Sequence, residues 1–478
     1  MTESNIKQQT KKGLYWTFFN KFSNYGLHFF VGIIMARLLT PADFGITALP
    51  AVFIVIASVF VNGGFSSAMI RKPKITDSDI TTAFIYSMIV GTLCYIILFL
   101  SAPSIAAFYD TPILTSLIRV VALSFLWTPL QTPQTIILQR QLDFKTPAKI
   151  AVVSNIIGAI FGVTLAYKGY GVWSLVAMSV FTAFLTFVLT WSKVRWLPKG
   201  GWSNESFSYL WNFGNKLMVS ALLDSAYSNI VPVIVGKFYS TSELGIYNRA
   251  QGYASLPAQQ GTSVIQSVAY PVLSRMQDDK DALARNYRKM IRVSAFVIFP
   301  VMTLLAGLAK PVIVLMVTDK WIDSVLLLQL ICFSMMWYPV HALNLNLLQV
   351  KGRPDLFLKL EIWKKCLGLT VMCSTLPFGL VYFVVAGIIS SIISLVINTY
   401  YTGKLIDVGF ITQMRDLLPI YLLSFASFIV ALGTGFIFSN LLIHLVVGLS
   451  AGSIIYIGSA LLLKFDEITD IKYVLKFK

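Results

Sequence analysis

Long apolar runs separated by short polar segments dominate the chain. The runs are about 20 residues long, the length that an α-helix needs to cross roughly 30 Å of hydrocarbon. Hydropathy punctuated by turn residues predicts fourteen spans, near 13–36, 44–65, 80–101, 113–138, 148–167, 171–192, 209–236, 244–272, 290–312, 322–349, 355–377, 380–402, 416–437 and 440–463. The pattern therefore predicts an all-α polytopic membrane protein with about 14 transmembrane helices.

Composition and charge agree with this class. Of the 478 residues, 56% are hydrophobic and only 12% are charged, too few for the surface of a soluble protein of this length. If the N-terminus is cytoplasmic, 27 Lys and Arg fall in inner segments and 5 in outer segments, as the positive-inside rule requires. The net charge of +17 thus reflects topology, so no nucleic acid partner is expected, and both termini are predicted to be cytoplasmic.

Two sequence motifs occur twice. Residues 36–46 read ARLLTPADFGI and residues 236–246 read GKFYSTSELGI, while SFLWTP at 124–129 matches SMMWYP at 334–339. The offsets of 200 and 210 residues indicate a duplicated unit of six helices, and an even helix number gives parallel repeats. We expect two pseudo-symmetric six-helix lobes around a central cavity, residues 1–205 and 206–410, followed by two more transmembrane helices and a cytoplasmic tail in 411–478.

Polar side chains form a stripe on the first helix of each half. The spacing of three or four residues places each set on one helix face, with Thr17, Lys21, Asn24 and His28 on the first helix and Lys216, Ser220, Asp224 and Tyr227 on the seventh. A charge at a helix centre costs about 2.5–3.5 kcal/mol on insertion scales, so it needs a partner or an aqueous cavity. The stripes predict a cavity for an anion, with Lys21 and Lys216 in its cytoplasmic part; snorkelling of either lysine to lipid phosphates is the alternative.

Each of the other charged or titratable residues within the spans has two possible interpretations. Asp224 cannot snorkel far, so we expect it to pair with Lys216 or to bind a coupling cation. Arg119 and Arg249, near the outer ends of their helices, are outer anion contacts or lipid anchors. His28 and His341 are proton-sensitive groups or packed, hydrogen-bonded histidines.

Pro129 and Pro339 are repeat mates, and we expect each to interrupt its helix.

The sequence offers little for catalysis. No G-x-x-x-x-G-K-[ST] loop is present, and every predicted outer loop is short, so an enzyme is the least favoured class, with no catalytic residue, metal site or cofactor predicted. Cys94, Cys332, Cys366 and Cys373 lie in apolar segments without ligand spacing and are predicted to be buried thiols. The segment 273–290 is predicted to hold a helix lying on the inner surface.

Several segments resemble a known family. KGLYWTFFNKFSNYGLHFFVGIIMARLLTPADFGI, LQRQLDFK, GKFYSTSELGIYNRAQGYASLPAQQ, YPVLSRMQDD and LLQVKGRPDLFLKLEI resemble the bacterial polysaccharide and O-antigen flippase branch, of the colanic-acid exporter type, in the multidrug/oligosaccharidyl-lipid/polysaccharide exporter superfamily. The resemblance implies two six-helix lobes in the cytoplasmic (inner) membrane. It also implies transport of undecaprenyl-pyrophosphate-linked oligosaccharide by alternating access coupled to a cation gradient, H⁺ or Na⁺, with polysaccharide polymerase or assembly proteins as possible partners beside the membrane lipids.

The alternatives stay open at this point. A multidrug or organic-cation exporter of the same superfamily would favour a cavity dominated by acids, whereas Lys21, Arg119, Lys216 and Arg249 outnumber the embedded acids. A lipid II flippase would be expected to have the same pattern of embedded charges, so this alternative is not excluded. A non-transporting scaffold for polysaccharide assembly predicts that substitutions in the two stripes are silent. The family has no binding motif that transfers residue by residue, so the site residues follow from helix position alone.

Overall fold

The computed structural model describes residues 3–470. Residues 1–2 and 471–478 lie outside the described part, as do the side chains of residues 3–12, 14, 15 and 18. Six lysines that the topology argument assigns to the inner surface fall at these positions: Lys7, Lys11, Lys12, Lys472, Lys476 and Lys478. The remaining chain divides by its contacts into an N-terminal unit, Met1–Gly245, and a C-terminal unit, Ile246–Lys478.

The N-terminal unit is built from helices. In chain order they are α1 (Glu3–Leu38), α2 (Pro41–Ala48), α3 (Ala51–Asn62), α4 (Phe65–Arg71), α5 (Asp77–Phe108), α6 (Leu114–Ala122), α7 (Ser124–Trp127), α8 (Thr132–Arg140), α9 (Lys145–Tyr167), α10 (Val172–Lys193), α11 (Asn204–Ser228) and α12 (Ile230–Phe238). Helix α1 packs on α9 and α9 on α10, while α11 packs on α3, α4 and α5. Fully buried Phe65 stacks on Tyr86 with ring centroids 4.2 Å apart, which fixes α4 against α5.

The C-terminal unit is also helical. Its helices are α13 (Thr241–Ser274), which begins before the unit boundary, α14 (Lys280–Gly307), α15 (Ala309–Val317), α16 (Ser324–Met335), α17 (Tyr338–Val350), α18 (Pro354–Ser374), α19 (Leu380–Ile406), α20 (Phe410–Ile437) and α21 (Leu441–Leu462). Helix α14 packs on α16, α17 and α20, and α18 packs on α19. The appended pair α20 and α21 therefore packs on the rest of the unit through α14, α15 and α19.

The all-α membrane class is confirmed. Eleven helical segments of the described chain are long and apolar enough to cross a membrane. Every predicted span coincides with a helix or a run of broken helices, but α1, α13 and α18 are too polar for that criterion. The count of fourteen and the two-lobe arrangement therefore stay predictions. The lobe boundary at 205/206 also stays a prediction, because the contacts that place α11 in the N-terminal unit do not test where the duplicated sequence begins.

The matched prolines do interrupt their helices. Pro129 opens a short 3₁₀ turn, Pro129–Gln131, between α7 and α8, and Pro339 lies in the first turn of α17, just after α16 ends. Proline lacks an amide hydrogen, so it removes a helical hydrogen bond inside a helix but is tolerated in a first turn. The prediction of equivalent breaks in the two halves is confirmed.

Two smaller predictions are wrong. The segment 280–290 does not form a separate surface helix, because Asp279 caps α14 by accepting from the Ala282 amide and the helix then runs without interruption to Gly307. Cys332 is buried and Cys94 half-buried, but Cys366 and Cys373 are exposed. Both exposed cysteines lie on α18, which buries only Leu360 and Gly368 and leaves most of its surface uncovered.

A group of ion pairs ties the N-terminal part of α14 to its neighbours. Arg288 makes a bidentate contact with Asp416 on α20, at 2.7 and 2.6 Å. The segment after α21 supplies three more acids. Asp466 and Glu467 form ion pairs with Arg292, and Asp470 forms an ion pair with Lys289. We call these contacts the α14 clasp.

Candidate functional site

The two copies of the repeated motif meet within the N-terminal unit. A Cβ atom on Gly45 would lie 1.7 Å from the carbonyl oxygen of Thr241, and one on Gly245 would lie 1.9 Å from that of Pro41. Pro41 and Thr241 hold the same position in the repeat, as do Gly45 and Gly245. The contact is therefore reciprocal, and only glycine allows two helix backbones to approach this closely.

Each motif copy also forms the same helix cap. Thr40 accepts from the Asp43 amide, while the Asp43 carboxylate accepts from the Thr40 amide at 2.9 Å. Ser240 and Glu243 repeat the arrangement, the carboxylate accepting from the Ser240 amide at 2.9 Å. The hydroxyl and the acid of the motif are thus a capping box that begins a helix, and the glycine two residues after the acid makes the contact.

On α1 the structure separates the members of the predicted stripe. Lys21 and His28 are exposed, but Asn24 is half-buried and hydrogen-bonded on two sides. It donates to Asn20 at 2.7 Å and accepts from Asn155 on α9 at 2.8 Å. Asn24 therefore ties α1 to α9, and its role as a substrate contact stays an untested prediction.

On α11 the charged stripe residues are exposed. Lys216 and Asp224 both point away from the buried face, which carries Leu210, Gly214 and Met218. Within the described part of the chain neither residue forms an ion pair, so the suggested pairing of Asp224 with Lys216 is absent from this structure. Apolar Leu223 is exposed at 69% on the same helix, so exposure alone does not distinguish a cavity from lipid.

The two predicted arginines lie apart from the stripes. Arg119 on α6 is half-buried, donates its Nε–H to the Phe99 carbonyl at 3.3 Å and lies 4.3 Å from the centroid of that ring. Arg249 on α13 lies over the rings of Tyr253 and Trp321, at 5.7 and 5.2 Å. Each guanidinium is held by cation–π contact inside its own unit.

The C-terminal unit contains buried polar groups that sequence analysis did not single out. Asn344 and Gln413 exchange amide hydrogen bonds at 3.0 and 3.1 Å, and Thr402 donates to Asn344 at 2.6 Å. Thr402 continues a row on α19 that also holds Ser391 and Asn398, at steps of seven and four. A search for polar stripes on every apolar helix, rather than on the first of each half, would have found this row.

Comparisons with known proteins give the same class. A family model described as "Polysaccharide biosynthesis protein" matches residues 34–326. The teichuronic acid biosynthesis protein TuaB of Bacillus subtilis (strain 168) is 22% identical over 432 residues, covering 90% of this chain and 89% of that protein. The lipopolysaccharide biosynthesis protein WzxC of Escherichia coli (strain K12) is 23% identical over 371 residues, 75% of this chain and 74% of that one.

A solved structure supports the fold. That of the lipid II flippase MurJ in an inward closed conformation superposes with a TM-score of 0.76, covering 94% of this chain and 99% of that one at 16% identity. At this identity the likeness speaks for the fold alone. A MATE family transporter in an inward-facing conformation follows with a TM-score of 0.60. The fold is that of a multi-pass membrane transporter, and because the family model covers more than half of the sequence, the chain belongs to the polysaccharide biosynthesis protein family.

Proposed function

We propose that this protein is a flippase that moves undecaprenyl-pyrophosphate-linked oligosaccharide units across the cytoplasmic membrane for surface polysaccharide synthesis. The observation that carries the proposal is the pair of exposed lysines, Lys21 and Lys216, on corresponding helices of the two repeats in a chain of this family. A pyrophosphate bears at least two negative charges, and ammonium groups in a wet cavity recognise it by charge-assisted hydrogen bonds. The polyprenyl tail stays in lipid, so only the head group needs the polar path.

The proposed mechanism is alternating access. The reciprocal contact of Gly45 with Gly245 lies beside the predicted outer loops, where Lys237 also binds the Phe108 carbonyl and Asp110. We infer that this contact closes the outer side when the lysines are open to the cytoplasm. The inferred topology has both termini in the cytoplasm. The proposed coupling ion is H⁺ or Na⁺, and Asp224 is one candidate for binding it.

The organic-cation exporter is the second candidate. The likeness to a MATE transporter favours it at the level of fold. The exposed charges of the two stripes weigh against it, because two lysines stand against one acid, Asp224. The chain is proposed to act without chemical change of its substrate, as expected for a transporter rather than an enzyme.

The test uses proteoliposomes that carry a polyprenyl-pyrophosphate oligosaccharide on one face. A glycosidase added on the other face reports transfer of the sugar. Each alanine variant loses a charge-assisted contact of about 1.5–3 kcal/mol, so we expect transfer to be slowed roughly 10- to 150-fold in Lys21→Ala and Lys216→Ala. Lys168→Ala, an exposed lysine at the end of α9, is the matched control.

The outcomes separate the candidates. Normal transfer in both lysine variants would remove the stripes from the path. If the protein transferred no sugar but released an organic cation from the same vesicles, the exporter would replace the flippase. Transfer that is lost in the lysine variants and kept in the control supports the proposal.

A further inference from the structure

A histidine lies within a polar cluster of the C-terminal unit. His341 on α17 is flanked by two residues of α19, which packs against it. Its Nε2 atom is 3.1 Å from the Ser391 hydroxyl, and its Nδ1 atom is 3.2 Å from the Asn398 amide nitrogen. The imidazole therefore has a polar partner at each ring nitrogen.

These partners fix which ring nitrogen carries hydrogen. An amide nitrogen can only donate, so Nδ1 accepts from Asn398 and is unprotonated. Nε2 then carries the hydrogen and donates to Ser391, whose hydroxyl donates in turn to the Ser334 carbonyl at 3.5 Å. The cluster holds the neutral imidazole in one tautomer, in which the Nδ1 lone pair is occupied by the Asn398 N–H and becomes available to a proton when that amide turns.

Asn398 is suited to either protonation state. The residue is only 1% exposed, and its Oδ1 atom is buried without a hydrogen-bond partner. Such an unsatisfied group costs about 1–3 kcal/mol in a folded protein and calls for an explanation. Rotation of the amide by half a turn breaks only the bond to Nδ1 and presents Oδ1 to it. The same side chain then accepts from a protonated Nδ1.

The charges that face His341 come from α18. Helix α18, which packs against α17, carries Lys364, whose ammonium is paired with Glu361 at 2.5 Å, and Lys365, which lies 3.8 Å from the same carboxylate. Tyr338 lies one turn before His341 on α17. The other packed helices add no charge nearby, since α14 has none beyond Arg292 and α19 none before Lys404. The neighbouring helices also carry other titratable groups: buried Cys332 on α16, buried Tyr287 on α14, Cys366 on α18, and Tyr400 and Tyr401 on α19.

We infer that His341, Asn398 and Ser391 form a proton-binding site in the C-terminal unit. A proton from water adds to Nδ1, Asn398 turns its carbonyl oxygen to the new N–H, and the proton returns to water when Nδ1 is released. Lys364 repels the protonated ring, so binding is favoured when α18 withdraws that ammonium or brings Glu361 closer. Occupancy of the site is in this way linked to the position of α18. The use of this proton to drive transport rests on the proposed function.

A direct measurement of the site does not depend on transport. The chain has three histidines, His28, His341 and His444, so His28→Gln with His444→Gln leaves His341 alone for ¹⁵N-imidazole NMR in lipid nanodiscs. We expect a single imidazole that is protonated at Nε2 at neutral pH and gains a proton at Nδ1 on acidification. The Asn398→Leu variant should change that titration. A ring protonated at Nδ1 at neutral pH, or a titration unaltered by Asn398→Leu, would overturn the inference.

The transport assay then tests coupling. One coupled proton lets a gradient of about one pH unit support about a tenfold ratio of substrate between the two faces. His341→Gln keeps a neutral hydrogen-bonding side chain. In this variant the pH gradient should no longer support a difference, so the ratio of substrate between the two faces should be about one while downhill transfer continues. His444→Gln, at a buried histidine on α21, is the control.

The two kinds of failure are distinct. Absence of downhill transfer in the unaltered protein refutes the flippase but leaves the NMR result standing. A His341→Gln protein that keeps the full response to the pH gradient overturns the inference and leaves the flippase intact. Size-exclusion chromatography of each variant shows that a lost response is not lost folding.

Discussion

Replacement of Gly245 by alanine probes the contact between the two motif copies. The added Cβ would lie 1.9 Å from the Pro41 carbonyl oxygen, whereas real Cβ contacts are essentially never under 3.0 Å. The obstacle is backbone and cannot rotate away, so α2 and α13 must separate by at least the difference between these distances. Overpacking of this kind costs about 1–3 kcal/mol. We expect Gly245→Ala to lower the thermal unfolding temperature measured in detergent micelles.

A matched control lies on the same helix. Gly252, seven residues along α13, has nothing within 4 Å of an added Cβ and an ordinary helical backbone, so Gly252→Ala should be neutral or stabilise the protein by about 0.4–1 kcal/mol. Gly45→Ala should match Gly245→Ala, and the double variant should cost less than the sum because both methyl groups open one contact.

The same variants report on transport. If the contact closes the outer side, a separation there shifts the protein away from the cytoplasm-open state, so sugar transfer in Gly245→Ala should fall relative to Gly252→Ala. Equal unfolding temperatures for Gly245→Ala and Gly252→Ala would refute the reasoning, because they would mean that the backbones do not touch.

Three further predictions concern single contacts. Asn155→Leu removes the hydrogen bond to Asn24, and we expect a loss of about 0.6–2 kcal/mol, seen as easier proteolysis of α1. Asp224→Asn tests ion coupling: transfer that responds to imposed H⁺ and Na⁺ gradients as before would exclude Asp224 from that role. Asp416→Asn weakens the bidentate pair with half-exposed Arg288, and the unfolding temperature should drop in line with about 1–2 kcal/mol; an unchanged value in low salt would show that the pair contributes nothing.

Hydropathy was sufficient to predict the helices. Each of the fourteen apolar segments coincides with helical structure, because in lipid the backbone must satisfy its own hydrogen bonds and few alternatives exist. The matched prolines were also interpretable, since Pro129 and Pro339 act through missing amide hydrogens rather than through distant partners. Both are local properties of the chain.

The sequence did not show which side chains contact each other in the folded chain. Asn24 was placed in a cavity because of its spacing from Lys21, but its actual partner, Asn155, lies 131 residues away. His341 was singled out, yet its neighbours Ser391 and Asn398 come from α19, and no short motif links them. The repeated glycines, Gly45 and Gly245, are evident in the sequence, but their mutual contact is evident only in the folded structure.

The α14 clasp has a practical consequence for handling the protein. Asp466, Glu467 and Asp470 come after the last long helix, where a truncation or an affinity tag would ordinarily be placed. A cut after Lys464 would remove three carboxylates and leave Lys289 and Arg292 facing each other one turn apart without those partners. Tags are therefore better carried on a spacer beyond Asp470, and a truncated protein that purifies poorly should first be suspected of this loss of charge balance.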